Sequence, residues 1–264
     1  MGTLGMIGWM VVAALGYMTA VWGISLVVRN ASIVDSFWGP GFIVLAVAAP
    51  WVADAWTWRS VLVLALVTVW GLRLAMHVTV RNWGKGEDWR YRQWREEAPD
   101  RFWWTSYFRV FVLQGILMVV VAAPILATAA SSRAGWTGLD VAGAFLWLFG
   151  LSYEAIADLQ LMRFKRDPTN KGRVFDQGLW RTSRHPNYFG ESMVWWGLFL
   201  VALSVPEGIW SIIGPVAITF LLLRVSGVRM LERGLKHRKP AYAEYIRRTS
   251  PFIPWPPRRA GSGE

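Results

Sequence analysis

Residues 183–191 read SRHPNYFGE, and they open onto the uncharged apolar run MVWWGLFLVALSV. Arg184, His185, Asn187, Tyr188 and Glu191 are each costly beside hydrocarbon unless something pairs with them. An asparagine here could donate and accept a hydrogen bond at once. Pro186 suits the first turn of a helix, where its missing N–H costs nothing. A helix begun there puts Asn187, Glu191 and Trp195 on one face. The preceding stretch, KRDPTNKGRVFDQGLWRTSRHPNYFGE, carries Lys165, Arg166, Lys171, Arg173 and Arg181 around Gly172 and Gly178. Cations beside exposed backbone N–H groups and a helix N-terminus make an anion site, and a nucleotide phosphate is one candidate. A solvated loop touching lipid phosphates would explain the charge equally well. It would not explain the Asn-Tyr and Trp-Trp that follow.

Other polar residues interrupt apolar sequence elsewhere. Asp35 lies in NASIVDSFWGPG, at the mouth between the first two apolar runs. Arg73 and His77 are one helical turn apart, and so are Glu154 and Asp158 in SYEAIADLQ. Arg224 and Arg229 bracket the end of the last run. Acids and bases neutralising one another inside a bundle would account for any one of these. As a set they crowd toward a single membrane face. The chain has no cysteine and three histidines, His77, His185 and His237, which exclude a disulfide framework, a thiol nucleophile and a histidine-rich metal centre. No G-x-G-x-x-G follows a strand, so any dinucleotide must be held by helices.

These residues need a scaffold, and composition describes it. Hydrophobic residues make up 54% of the 264, mean hydropathy is +0.32, and 19 Trp and 25 Gly are spread along the chain. Crossing hydrocarbon takes about 20 mostly apolar helical residues. Seven runs qualify, at 4–28, 38–57, 60–80, 106–130, 138–161, 188–204 and 209–230. The first is too long for a signal-peptide core and lacks a basic n-region and a cleavage site, so it reads as a retained helix. The expectation is an all-α, polytopic integral membrane protein, a seven-transmembrane-helix bundle forming one membrane domain over residues 1–264.

The net charge of +11 could point to nucleic acid, but its distribution argues otherwise. Six Lys or Arg lie in 81–104, seven in 163–186 and nine in 229–264, against one in 131–137 and none in 205–208. Basic loops of this kind stay in the cytoplasm, which puts the N-terminus outside and the C-terminus inside. Anionic lipid headgroups take up most of the charge, and no nucleic-acid partner or obligate protein partner is expected.

The run from Asn170, Lys171, Gly172 and Arg173 through Gly178-Leu179-Trp180, then Arg184 to Glu191, resembles the membrane steroid 5α-reductase family. It is most similar to bacterial membrane proteins of unknown function that share the steroid reductase C-terminal domain. Tyr242-Ala243-Glu244-Tyr245 and Thr249-Ser250-Pro251-Phe252-Ile253-Pro254 fit the same pattern. The likeness is dense over 140–257. The wider superfamily includes isoprenylcysteine carboxyl methyltransferases, which share an R-H-P-x-Y-x-G turn and bind S-adenosylmethionine; Asn187 and Glu191 favour the reductases.

What the resemblance implies is an NADPH-dependent reductase of a 3-oxo-Δ4 steroid or similar lipophilic enone, set in a bacterial inner membrane with its cofactor site facing the cytoplasm. It carries cofactor roles onto Asp158, Lys165 and Arg173, onto Asn187, Glu191 and Trp195 on the nicotinamide side, and onto Arg73 on the phosphate side. Arg224, Arg229 and Glu232 fall in the corresponding region of the last helix. Asn170, Lys171, Arg184, His185, Tyr188 and Tyr245 belong to the matched motifs and join the cofactor set. Asp35 stands where the animal enzymes have a catalytic Glu, while their catalytic Tyr aligns near Trp70; His77 and Tyr153 are the candidates to replace it. The implied partners are the enone substrate and membrane lipids.

Overall fold

The computed structural model describes residues 2–131, 133, 135–206, 208–225 and 241–258, and among them the chain is helical with no β-strand. The helices are α1 (Thr3–Val27), α2 (Ile33–Ala53), α3 (Trp58–Asn82), α4 (Trp89–Glu97), α5 (Phe102–Val121), α6 (Ala123–Ala129), α7 (Gly138–Arg166), α8 (Pro186–Ala202), α9 (Gly208–Val225) and α10 (Ala241–Arg248). Six of them, α1, α2, α3, α5, α7 and α9, are long and apolar enough to cross a membrane. The remaining expected span, 188–204, is α8. With 17 residues it reaches roughly 25 Å at 1.5 Å per residue, short of a hydrocarbon core of about 30 Å. Large apolar side chains such as Leu4, Val12, Val69, Met76, Phe145 and Phe220 are exposed on the long helices. In water so much apolar surface would drive association, whereas lipid is its natural neighbour.

Two compact units divide the chain. One comprises residues 1–140 and 201–214. Within it α1 ends where Arg29 takes a left-handed backbone (φ 52°), and α2 ends the same way at Asp54 (φ 50°). Thr57 and Ser60 form a capping box that starts α3. The helix α2 begins at Ile33, five residues ahead of the expected 38, so Asp35 occupies its first turn and not a loop. The triplet Gly39-Pro40-Gly41 reads as a break but lies inside the helix. Gly39 packs so closely on Gly71 of α3 that a Cβ there would sit 2.4 Å from the Gly71 carbonyl oxygen. Helix pairs in lipid gain from such small residues because their backbones can approach. The expected run 106–130 starts earlier, at Phe102, and is divided at Ala122, just before Pro124. A one-turn π segment, Tyr107–Val112, lies within α5.

This unit also buries an ion pair. Arg59 (1% exposed) and Asp140 (0%) meet through Nε–Oδ1 at 2.8 Å and Nη2–Oδ2 at 3.0 Å. Arg59 also donates to the carbonyls of Arg133 and Gly135, while Asp140 accepts from Thr137 and Ser204.

The other unit comprises residues 141–200 and 215–264. Its centre is the antiparallel contact of α7 and α8, built on glycines seven residues apart in each helix. A Cβ on Gly150 would lie 2.7 Å from the Gly190 carbonyl oxygen, and one on Gly197 would lie 2.7 Å from that of Gly143. Seven residues is close to two helical turns, so each pair of glycines falls on one stripe. Ser192 of α8 and Thr219 of α9 are hydrogen-bonded at 2.9 Å.

Candidate functional site

The glycine stripe brings polar groups face to face. Because a Cβ on Gly190 would meet the Glu154 backbone at 2.5 Å, the first turn of α8 lies directly on the α7 segment carrying Glu154 and Asp158. Asn187 then reaches across and donates its Nδ2 to Asp158 Oδ1 at 3.1 Å. Glu154 is 2% exposed, Asp158 5%, His185 4% and Glu191 8%. Three carboxyls and an imidazole are therefore withdrawn from solvent within about two helical turns, in a region where charge is costly. Trp195, fully buried, continues the Asn187–Glu191 face, as the sequence spacing predicts. The His185 and Tyr188 rings lie parallel at 5.5 Å. Tyr153 packs against Phe149 and Phe189 at the edge of this group.

A clasp formed by the C-terminal segment holds this turn in place. Arg184 donates its guanidinium to the carbonyls of Ile246 and Thr249, at the end of α10, and its backbone N–H to Ser250. Tyr245 hydrogen-bonds the carbonyls of Trp180 and Ser183, while Ser183 Oγ donates to the Phe252 carbonyl. Trp180 Nε1 donates to the Ala157 carbonyl, and Gln160 accepts from the Leu179 N–H. These contacts explain why the R-H-P-N-Y turn and the Y-A-E-Y and S-P-F-I-P motifs occur together. Arg184 and Tyr245, both expected in the cofactor set, make these contacts to backbone carbonyls.

The remaining cations are arranged differently. Lys165, Lys171 and Arg173 are exposed along the strip that follows α7. Asn170 donates its side-chain amide to the Phe164 carbonyl, closing the end of that helix. At the turn itself, hydrogen bonds from Thr169 hold the exposed Asp167 carboxyl below the usual carboxylate range. Arg224 is exposed at the end of α9, and Arg229 and Glu232 lie outside the described residues.

Asp35, Arg73 and His77 belong to the first unit. Asp35 is half-buried, and the charges bearing on it are those of Arg90, Arg81 and Asp88. The short helix α4 is strapped to the start of α2: Asp88 N–H donates to Ser32 Oγ at 2.6 Å, and Ala31 N–H to Glu87 at 2.7 Å. Glu87 is gripped in turn by Arg95 at 2.9 and 2.8 Å. Burial opposes ionisation of Asp88, but its hydrogen bonds from Arg90 prevail and hold its carboxyl low. Tyr91, buried on α4 and within electrostatic reach of Asp35, has its hydroxyl pushed above the usual phenol range chiefly by burial. Sequence spacing gave no signal for Tyr91, since 56 residues and a whole membrane-length helix separate it from Asp35. Arg73 and His77 are half-buried on α3. Trp70 is fully buried with its ring 5.7 Å from that of Phe42.

The fold and this cluster define a polytopic helical membrane-type protein with an acid-rich buried polar cluster and an exposed basic strip between α7 and α8. The chain belongs to the family described as protein of unknown function, DUF1295, whose profile covers residues 21–249. It is 25% identical over 261 residues to "Uncharacterized protein C594.04c" of Schizosaccharomyces pombe, an alignment covering 89% of this chain and 75% of that one. A shorter stretch of 65 residues is 37% identical to "Probable O-methyltransferase ustE" of Ustilaginoidea virens, covering 23% of each chain. No solved structure shows a significant match.

Proposed function

We propose that this chain is an NADPH-dependent membrane reductase that saturates the C=C bond of a 3-oxo-Δ4 steroid or a similar lipophilic enone. The observation that supports it most is the Asn187–Asp158 contact among buried carboxyls. Asp158 takes one N–H of the Asn187 amide, leaving that amide an acceptor oxygen and a second N–H. This pair of functions is complementary to a carboxamide such as that of nicotinamide. Lys165, Lys171 and Arg173 are the cations for its phosphates, and Arg173 can pair with phosphate bidentately. The residues thus fit the cofactor chemically. When bound, NADPH would supply hydride to the enone β-carbon. The chain's own contribution is to orient the carboxamide through Asn187, hold the phosphates, keep water out, and present a proton to the carbonyl oxygen from Asp35.

A second reading has one observation in its favour, the local likeness to a protein named as an O-methyltransferase. On that reading the basic strip would hold S-adenosylmethionine. The two are separated by thermal unfolding of the purified chain in detergent. A ligand that binds only the folded state at 100 times its Kd adds about 2.7 kcal/mol of stability. A rise in Tm with NADPH and none with S-adenosylmethionine is the expected result; the reverse transfers the assignment to the methyltransferases.

Arg173→Ala is expected to weaken NADPH binding much more than NADH binding, because the extra phosphate loses its bidentate partner. Titration of both cofactors against the variant checks this. Equal losses would move Arg173 to the pyrophosphate, and no loss would make it a surface charge.

The proposal also places the basic strip in the cytoplasm of a bacterial cell, with the N-terminus outside and α8 as the seventh membrane element. Reporter fusions in 131–137 and at the C-terminus are expected to report periplasm and cytoplasm respectively. A C-terminal reporter active only in the periplasm would put the strip out of reach of NADPH.

A further inference from the structure

We propose that the cleft between α4 and the start of α5 binds a phospholipid headgroup carrying both a phosphate and a primary amine. This inference is independent of the reductase reading, since the cleft is lined by none of the residues proposed to act on cofactor or substrate. It has a volume of about 270 Å³, and its lining includes Trp94, Glu97, Arg101, Trp104, Thr105 and Arg109. That is room for a headgroup and not for a whole lipid, whose chains would stay in the bilayer.

Arg109 carries the argument. It lies in the π segment of a membrane-length helix, seven residues past Phe102, or roughly 10 Å along the axis at 1.5 Å per residue. A cation within a helix of membrane-spanning length needs an anionic partner or a path to the interface. Among the described residues no carboxylate lies within ion-pair distance of Arg109 or Arg101. Both guanidiniums border the same cleft, and a lipid phosphate at the interface offers each a charge-assisted hydrogen bond. Trp94 and Trp104 are exposed beside it, where indoles settle at headgroup level. Glu97 is the selective element. One of its oxygens accepts from Gln93 at 2.8 Å, and the other remains for an ammonium, which the indole faces also attract. An anionic headgroup without an amine meets that carboxylate unfavourably.

The full chain, delipidated in detergent, is titrated by native mass spectrometry with dihexanoyl-phosphatidylethanolamine, dihexanoyl-phosphatidylglycerol and inorganic phosphate. The ethanolamine lipid is expected to bind about fivefold more tightly than the glycerol lipid, the equivalent of about 1 kcal/mol for an exposed ion pair, and free phosphate not measurably. Arg109→Gln should weaken it by a similar factor. Glu97→Gln should erase the preference while keeping binding, and Arg92→Gln, outside the cleft, should change nothing. Should Arg109→Gln fail to fold, Arg101→Gln at the exposed rim carries the same test. Binding unchanged by the arginine variants, equal affinity for the two lipids, or equal binding of free phosphate would overturn the proposal.

Discussion

Asp140→Ala is expected to destabilise the protein by about 3–5 kcal/mol, the cost of leaving a buried charge without its partner. Arg59 would then hold its guanidinium in a site where it is 1% exposed, with only the carbonyls of Arg133 and Gly135 to receive it. The N–H and hydroxyl of Thr137 and the Ser204 hydroxyl would lose their acceptor as well. Thermal unfolding in detergent reads the change as a large drop in Tm. The double variant Arg59→Met with Asp140→Leu makes the test specific. It removes both charges and leaves only neutral groups unsatisfied, each costing about 1–3 kcal/mol, so it should be no less stable than Asp140→Ala. If the double variant instead loses the sum of the two single losses, the residues act independently and the buried contact contributes no coupling.

This pair also marks a limit of reading the chain directly. Arg59 and Asp140 are 81 residues apart, each near the start of a different helix, and nothing local distinguishes them from ordinary helix-end charges. The pairs that were legible are those a helix makes by itself. Arg73 with His77, Glu154 with Asp158, and Asn187 with Glu191 are set by spacing alone, and the structure places each pair on one helix. The long apolar runs were legible because length and hydropathy are properties of single segments. The start of α2 was not, since Gly39-Pro40-Gly41 has the composition of a turn. Only the approach of Gly71 explains glycine there, and that is a tertiary fact. Arg184 shows the same limit at the site itself. Beside the cofactor role the motif suggests, its guanidinium holds the backbone end of α10, over 60 residues away, which no local pattern announces.

On the reductase reading, Asp35→Ala should slow the chemical step by roughly a hundred- to a thousand-fold, since removing one donor to a developing oxyanion costs about 2.7–4 kcal/mol. Hydride arriving at the enone β-carbon moves negative charge onto the carbonyl oxygen, and a donor aimed there in a dry site stabilises the enolate more than water can. Asp35 suits the role by its place in the first turn of α2, half-buried and held beneath α4 by the Ser32–Asp88 and Ala31–Glu87 bonds. Asp35→Asn keeps a donor of similar size with a less acidic proton, so it should fall between wild type and Ala. Cofactor affinity should stay nearly intact in both, because the proposed NADPH ligands Asn187, Lys171 and Arg173 are untouched. Single-turnover oxidation of NADPH with an enone, measured beside NADPH affinity for each variant, separates the two effects. A parallel loss of affinity and rate would make Asp35 a structural support for the α2–α4 contact. Near wild-type turnover in Asp35→Ala would place the acid elsewhere, with His77, Tyr153 and the buried Tyr91 the next side chains to change.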